Sequence, residues 1–459
     1  MNNLRITDNH EAVRLDAPSD SRYWHNFDDY DVVKKDLVCI SNKQIGNLTL
    51  EDNPNLLVFP RDLHRYGDEI SENCIISMRN DEISTGNIMG FVGVNDTQLD
   101  IKSRFAKVDE DDYFLHYMLQ NVFSINLFDI KHTTRQEDIF DFLLYLFPHF
   151  LKKALAQGLF KKYRRFEYND ANIRGPIDVN RHIRENIPFR GTVAYSTREH
   201  SYDNEVTQLV RHTIEYIRTK EHGAIILNND PETKGCITQI SLATQSYNVR
   251  ERMKVINQNL RPIRHPYFSA YTDLQNLCLR ILRHESLKYG QEKDKVYGVL
   301  FDGAWLWEEY LNTILKPCGF KHPENKKQKG GFRMFKNELD DDAINKNSRR
   351  LYPDFWKDSF ILDAKYKHLN AGVGREDLYQ VVTYMYCKKA SAGGYIFPYE
   401  KSEKPIVYQL EGHEGSMHII PFYVPQKPID ANDRQWKWTN FVEGIEESEG
   451  ALISVVSKD

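Results

Sequence analysis

The absences narrow this sequence first. No run approaches the roughly 20 apolar residues that a membrane helix needs, and Met1 to His10 carry no apolar core of an export signal. That predicts a cytoplasmic chain with no membrane contact. Cysteine is scarce: Cys39, Cys74, Cys236, Cys278, Cys318 and Cys387 are the only six, none within four positions of another. The spacing excludes the common zinc motifs and offers no disulfide framework, and scattered thiols suit a reducing compartment. There is no Gly-x-x-x-x-Gly-Lys-Ser/Thr loop to cradle nucleotide phosphates and no His-Glu-x-x-His. P-loop NTP hydrolysis is therefore not expected of this chain. The sixteen histidines show no ligand spacing, and no internal repeat or low-complexity stretch is present.

What is present suits a large folded protein. The 459 residues are 41% hydrophobic and 12% aromatic, enough for two or three domains with real cores. The net charge of −5 at first disfavours nucleic acid as a partner, but its distribution is uneven. Residues 1–130 carry net −11, residues 131–264 net +7 and residues 265–459 net −1.

Patterning divides the chain the same way. Residues 1–130 read as β-rich: Ile88 to Val94 is a strand, Asn95-Asp96 a turn, and Leu99 and Ile101 alternate with Asp100 and Lys102 as in a half-buried strand. Phe114 to Val122 predicts a short helix. Residues 131–264 read as mainly helical, with helical spacing over Asp138 to Phe160 and over Glu205 to Lys220. A further helix spans Tyr271 to Leu282, with Gly290 as its stop. From about Lys293 helix and strand alternate. A helix over Ala304 to Leu315 precedes strands at Phe332 to Phe335, Tyr352 to Trp356 and Phe360 to Tyr366. A helix over Glu376 to Lys389 and a strand at Tyr395 to Phe397, ended by Pro398, come after these.

The chemistry concentrates in this last third. Asp363 and Lys365 lie two apart on a strand, so both side chains leave one face. Asp354 lies across a short hairpin from them. Two carboxylates at close range repel, and a divalent cation resolves the conflict. Mg²⁺, with Mn²⁺ as a substitute, takes hard oxygen ligands and keeps several waters. A water activated there beside Lys365 can attack phosphorus. Glu308, on the preceding helix, is a further candidate ligand, with Glu309 beside it equally acidic. Gln380 and Tyr384, four apart on the next helix, share a face and can orient Lys365 or meet DNA phosphates. Any one of these residues alone has an ordinary reading: an ion pair on a sheet, a solvated helix glutamate, a core tyrosine. The acidic run Glu338 to Asp342 reads as a solvated loop.

Together these residues resemble a known family. Residues 268–400 resemble the nuclease domain of the McrC family, the partner of McrB-type restriction GTPases. The matching stretches are Leu306-Trp307-Glu308, Tyr352-Pro353-Asp354, Ile361 through Lys367, Gln380 through Tyr384 and Tyr395 through Pro398. This resembles the PD-(D/E)XK pattern with Asp in the second acidic place, and the Gln-x-x-x-Tyr helix is similar to that of RecB-like members. Ile173 to Asp178 and the helix after Asp203 resemble the McrC middle region. The resemblance implies an α+β to α/β multidomain chain: a β-rich front that docks a partner, a helical basic middle, and a PD-(D/E)XK core of mixed central sheet flanked by helices. It implies a Mg²⁺-dependent endonuclease acting on double-stranded DNA with an AAA+ GTPase. Asp354, Asp363 and Glu308 would hold metal, and Lys365 and Gln380 would assist. The acidic front is a reasonable protein-facing surface.

Lys161, Lys162, Arg164 and Arg165 interleave with Tyr163 and Phe166, which suits phosphate contact and stacking as well as it suits a solvated helix end. Two other functions compete: a stand-alone RecB-like processing nuclease, and a non-catalytic adaptor that stimulates an AAA+ partner. The intact Asp, Asp and Lys set speaks against the adaptor.

Overall fold

The computed structural model describes residues 2–16, 23–49, 53, 56–60, 73–107, 111–123, 137–220, 223–228, 230–263, 265–287, 296–323, 330–335, 350–369, 372–411, 414–428, 436 and 438–457. Gly290 and the acidic run Glu338 to Asp342 lie outside them. Packing divides the chain into two units, one of residues 1–125 with 292–459 and one of residues 126–291. The three-part division expected from composition places its lines elsewhere. The helix Ala270–Leu287 belongs with the middle, and the front and the last third form one unit.

A shared sheet joins those two segments. Six strands run in the order Tyr23–Asn26, Asn2–Thr7, Thr97–Lys102, Ile88–Val94, Val296–Asp302, Leu56–Phe59. Val296–Asp302, from the far side of the inserted unit, pairs antiparallel with Ile88–Val94 and parallel with Leu56–Phe59. Gly298, at φ 154°, lets the two chains meet: a Cβ there would lie 2.3 Å from the Phe91 carbonyl oxygen. Thr97–Lys102 alternates buried and half-buried residues, as its sequence predicts. Leu4, Ile6, Leu99, Ile101, Val92 and Leu300 pack in one buried cluster.

The second sheet of this unit has five strands: Phe355–Lys357, Phe360–Ala364, Ala392–Tyr399, Ser416–Tyr423 and Ile406–Gln409. Its three middle strands are parallel and both edges antiparallel. The period of two sets what each face meets. Ile361 and Met417 face the helix Arg375–Lys388 with Val381, Tyr384 and Met385. On the alternate face Phe422 meets Trp307 of the helix Gly303–Leu315 at 5.4 Å between rings. Gly393 brings the helix Arg375–Lys388 close, since a Cβ there would lie 2.4 Å from the Met385 sulfur. Ala392–Tyr399 does not end at Pro398. The neighbouring ladder closes at Ile396, which accepts the Lys365 N–H at 2.8 Å, so the missing N–H of Pro398 costs no bond on that side. The strand after Gly331 is shorter than expected, Phe332–Arg333.

The other unit is mainly helical, as expected, with one addition. Lys162–Asp170 and Val193–Ser201 form a long antiparallel pair, and the helix Val179–Asn186 packs on the second strand. The helix Ala270–Leu287 packs against both Glu137–Leu155 and Glu205–Arg218. Among the described residues no helix is long and apolar enough to cross a membrane.

Candidate active site

Asp363 stands two residues after Ile361, so it shares the face that meets the helix Arg375–Lys388 and is only 2% exposed. Lys365, two further on, puts its Nζ 2.7 Å from Asp363 Oδ2. Asp354 precedes the strand Phe355–Lys357 and turns its carboxyl inward, where Oδ2 accepts the Ala364 N–H at 2.8 Å. His322 Nδ1 donates to the Asp354 carbonyl oxygen at 2.6 Å, while its ring stacks on Phe355. The hairpin thus brings Asp354, Asp363 and Lys365 together, as their spacing predicts.

The helix adds three groups. Gln380 Oε1 accepts from Lys365 Nζ at 3.5 Å, and its amide donates to the Tyr384 hydroxyl at 2.8 Å. Tyr384, expected to meet DNA, is instead 6% exposed, and its hydroxyl donates to the Tyr352 carbonyl oxygen at 3.4 Å. Its role here is to hold Gln380 and the start of the hairpin. Asp377 is a member that the sequence reading does not include. Its Oδ1 lies 3.1 Å from Lys365 Nζ and its Oδ2 2.6 Å from Lys367 Nζ, and its carbonyl oxygen accepts the Tyr395 hydroxyl at 2.6 Å. A signal for it is present in the sequence: Asp377, Gln380 and Tyr384 stand at i, i+3 and i+7, one helical face.

The charges are unevenly settled. Burial, and then the neighbouring Asp363, push Asp354 well above the usual carboxylate range. Burial raises Asp363 as well, against the pull of Lys365. The two carboxyls raise each other's cost of ionising, and the least costly state without a cation keeps a proton on Asp354 and leaves Asp363 ionised beside the ammonium. Burial opposes the charge of Lys365, but Asp363 and Asp377 outweigh it and hold its pKa above the ordinary lysine value. Lys365 therefore stays an ammonium that can donate to a water or phosphate oxygen and cannot take up a proton.

This donor set fits a hard divalent cation. Asp363 Oδ2 is buried and faces the ammonium, yet accepts no well-directed hydrogen bond. A cation satisfied by one or two carboxylates, waters and substrate phosphate matches Mg²⁺. Glu308 is not gathered into the group: among the described residues no three acidic, histidine or cysteine side chains cluster for a metal. Glu308 sits half-buried on the helix Gly303–Leu315, which packs on the same sheet.

Lys161, Lys162, Arg164 and Arg165 lie in the other unit and are exposed at the start of a strand, not at a helix end. Three are partnered: Lys162 with Glu205, Arg164 with Asp203 at 3.8 Å and Arg165 with Asp178 at 3.3 Å. Lys161 lies over the Tyr202 ring at 4.8 Å.

Among known proteins, the family model described as McrBC 5-methylcytosine restriction system component matches residues 83–398. Two solved assemblies from Thermococcus gammatolerans are similar. A half-complex from a tetradecameric assembly of McrB AAA+ hexamers with bound McrC holds a chain 16% identical, with 99% of this chain and 100% of that chain covered and a TM-score of 0.47. The McrBC complex holds one 15% identical, with 70% and 90% covered and a TM-score of 0.32. None of the curated proteins compared matches.

Proposed function

Because this chain belongs to the family of McrBC 5-methylcytosine restriction system components, we propose that it is the nuclease subunit of such a system. It hydrolyses phosphodiester bonds of double-stranded DNA, with Mg²⁺, as the partner of a McrB-like AAA+ GTPase. The observation that carries this reading is the hairpin that brings Asp354 and Asp363 together, with Lys365 held between Asp363, Asp377 and Gln380. The hairpin, the parallel strand beside it and the crossing helix support a PD-(D/E)XK core.

The residues divide the work by their chemistry. Asp354 and Asp363 would hold the cation, which supplies positive charge at the scissile phosphate when bound. Asp354 must give up its proton for that. Lys365 orients the attacking water and offsets charge that builds on phosphate oxygens. Gln380 and Asp377 restrict Lys365 to one position, and Tyr384 fixes Gln380. The missing phosphate loop agrees with a subunit that leaves nucleotide hydrolysis to its partner.

The test is plasmid cleavage by the purified chain with the GTPase of its own system, GTP and Mg²⁺. EDTA should stop cleavage and added Mg²⁺ or Mn²⁺ restore it. Undiminished cutting in EDTA would remove the cation, and rapid cutting without the GTPase would favour the stand-alone nuclease.

A further inference from the structure

Lys365 is the last residue held by the sheet, and a cluster from the front of the chain holds its neighbour Tyr366. Tyr366 makes no further ladder bond. Its carbonyl oxygen accepts from Arg104 Nη1 at 3.2 Å, and the Arg104 guanidinium lies over its ring at 4.9 Å. Phe105 meets that ring edge-on at 5.4 Å, and a Cβ on Gly303 would lie 2.7 Å from it, so Tyr366 fills its space closely.

Arg104 is itself fixed. The parallel pairing of Asn2–Thr7 with Thr97–Lys102, continued one step, sets Asp8 opposite Ser103 and next to Arg104. Asp8 accepts the Arg104 backbone N–H at 2.6 Å and its Nε–H at 3.0 Å. The Asn87 side chain accepts from the same guanidinium, while the Asn87 carbonyl oxygen accepts the Gly303 N–H at 2.9 Å. The side chain of Asp8 is fully buried and that of Arg104 is 9% exposed. A buried pair of this kind is costly to form unless every donor and acceptor is used, and here the fork is spent on one carboxylate, one amide and the carbonyl next to Lys365.

We propose that Arg104, locked by Asp8 and Asn87, is a positioning residue that fixes the backbone at Tyr366 and through it the place of Lys365. The role rests on the proposed nuclease reading for its kinetic consequence, but not for its structural one. A misplaced catalytic group costs up to about 100-fold in rate without a change in substrate contact. The clamp lies in the acidic front segment, which thereby contributes to the site as well as to any docking surface.

The test uses the full chain with Asp8→Asn and Arg104→Met together, which removes the guanidinium without stranding a buried carboxylate. Arg104→Lys keeps the charge but loses the fork, and it serves where the double variant does not fold. Circular dichroism establishes folding. Three quantities are then read: the single-turnover rate and the half-saturating DNA concentration for Mg²⁺-dependent plasmid cleavage, and the rate at which an amine-reactive reagent acylates Lys365, measured by mass spectrometry. The expected result is a fall of about 10- to 100-fold in rate with the DNA dependence unchanged, and faster acylation of Lys365 with exposed Lys404 unaffected. Arg104→Lys should recover part of both. A folded variant with wild-type rate and wild-type Lys365 acylation overturns the clamp. If wild-type protein fails to cut DNA, the nuclease reading falls, and Lys365 acylation alone decides the clamp: a rise supports it, no change overturns it.

Discussion

Asp354 and Asp363 share a site with one ammonium, and burial, then the neighbouring Asp363, push Asp354 up and favour a proton on it. That proton sets the sign of the linkage. A carboxyl whose folded pKa is raised contributes stability that is fully present below its unfolded value and lost as pH rises through the folded one. A divalent cation replaces the proton and reverses that loss. Mn²⁺ affinity, measured from the paramagnetic signal of free Mn²⁺, should therefore rise with pH above the usual carboxylate range. The gain in melting temperature on adding Mg²⁺ should rise with it. Affinity flat with pH would contradict the shared proton. Asp377→Asn removes one of the groups holding Lys365 and should slow cleavage by about 10-fold while the DNA dependence stays put; an unchanged rate would make Asp377 a mere partner of Lys367. At this scale the sequence is legible where spacing alone decides proximity. Asp363 and Lys365 share a face because strands have period two, and Gln380 and Tyr384 share one because helices have period 3.6. Asp377 shares that face at i, i+3 and i+7 with Gln380 and Tyr384, whereas His322 escapes a reading by spacing because it acts through the Asp354 carbonyl that the fold places beside it.

At the scale of elements, sheet and helix come close at Gly393. Gly393→Ala would press Met385 and Val381 outward and displace the helix that carries Asp377 and Gln380. A loss of about 1–3 kcal/mol in denaturant unfolding is expected, and a variant as stable as wild type would show the contact to be loose. In the other unit, His212 is buried on the helix Glu205–Arg218 with neither ring nitrogen hydrogen-bonded, beside Tyr247 at 4.7 Å. Burial, and then the charge of Arg252, push its pKa down to about 4. A base so depressed contributes stability that is present above its unfolded pKa and is lost as pH falls towards the folded one. Stability should fall between about pH 6.5 and pH 4, and His212→Leu should flatten that fall in urea titrations read by circular dichroism. An unaltered pH slope would contradict it. Elements whose faces differ in burial are readable from sequence, such as Thr97–Lys102 and Glu205–Arg218. The strand Ile406–Gln409 is exposed at every residue and carries no alternation to read. Lys162–Asp170 is likewise exposed along most of its length, so its basic residues resemble a helix end.

Across the whole molecule, the net charge of −5 conceals an acidic front, a basic middle and a near-neutral last third. The acidic front is not a separate domain. Its strands Asn2–Thr7 and Ile88–Val94 share a sheet with Val296–Asp302, a pairing of residues some 200 apart that local pattern cannot reveal. The basic cluster at Lys161 to Arg165 is partly neutralised by Glu205, Asp203 and Asp178. Reversing all four charges should weaken DNA binding and reduce its salt dependence; unchanged binding would leave these residues as solvated surface. The most direct measurement is single-turnover cleavage of plasmid DNA by the complete system with wild-type chain and with Asp363→Asn. The variant should assemble with its partner and bind DNA normally while its cleavage rate falls by about 1,000-fold or more. Cleavage by Asp363→Asn at the wild-type rate would contradict the assignment of this site.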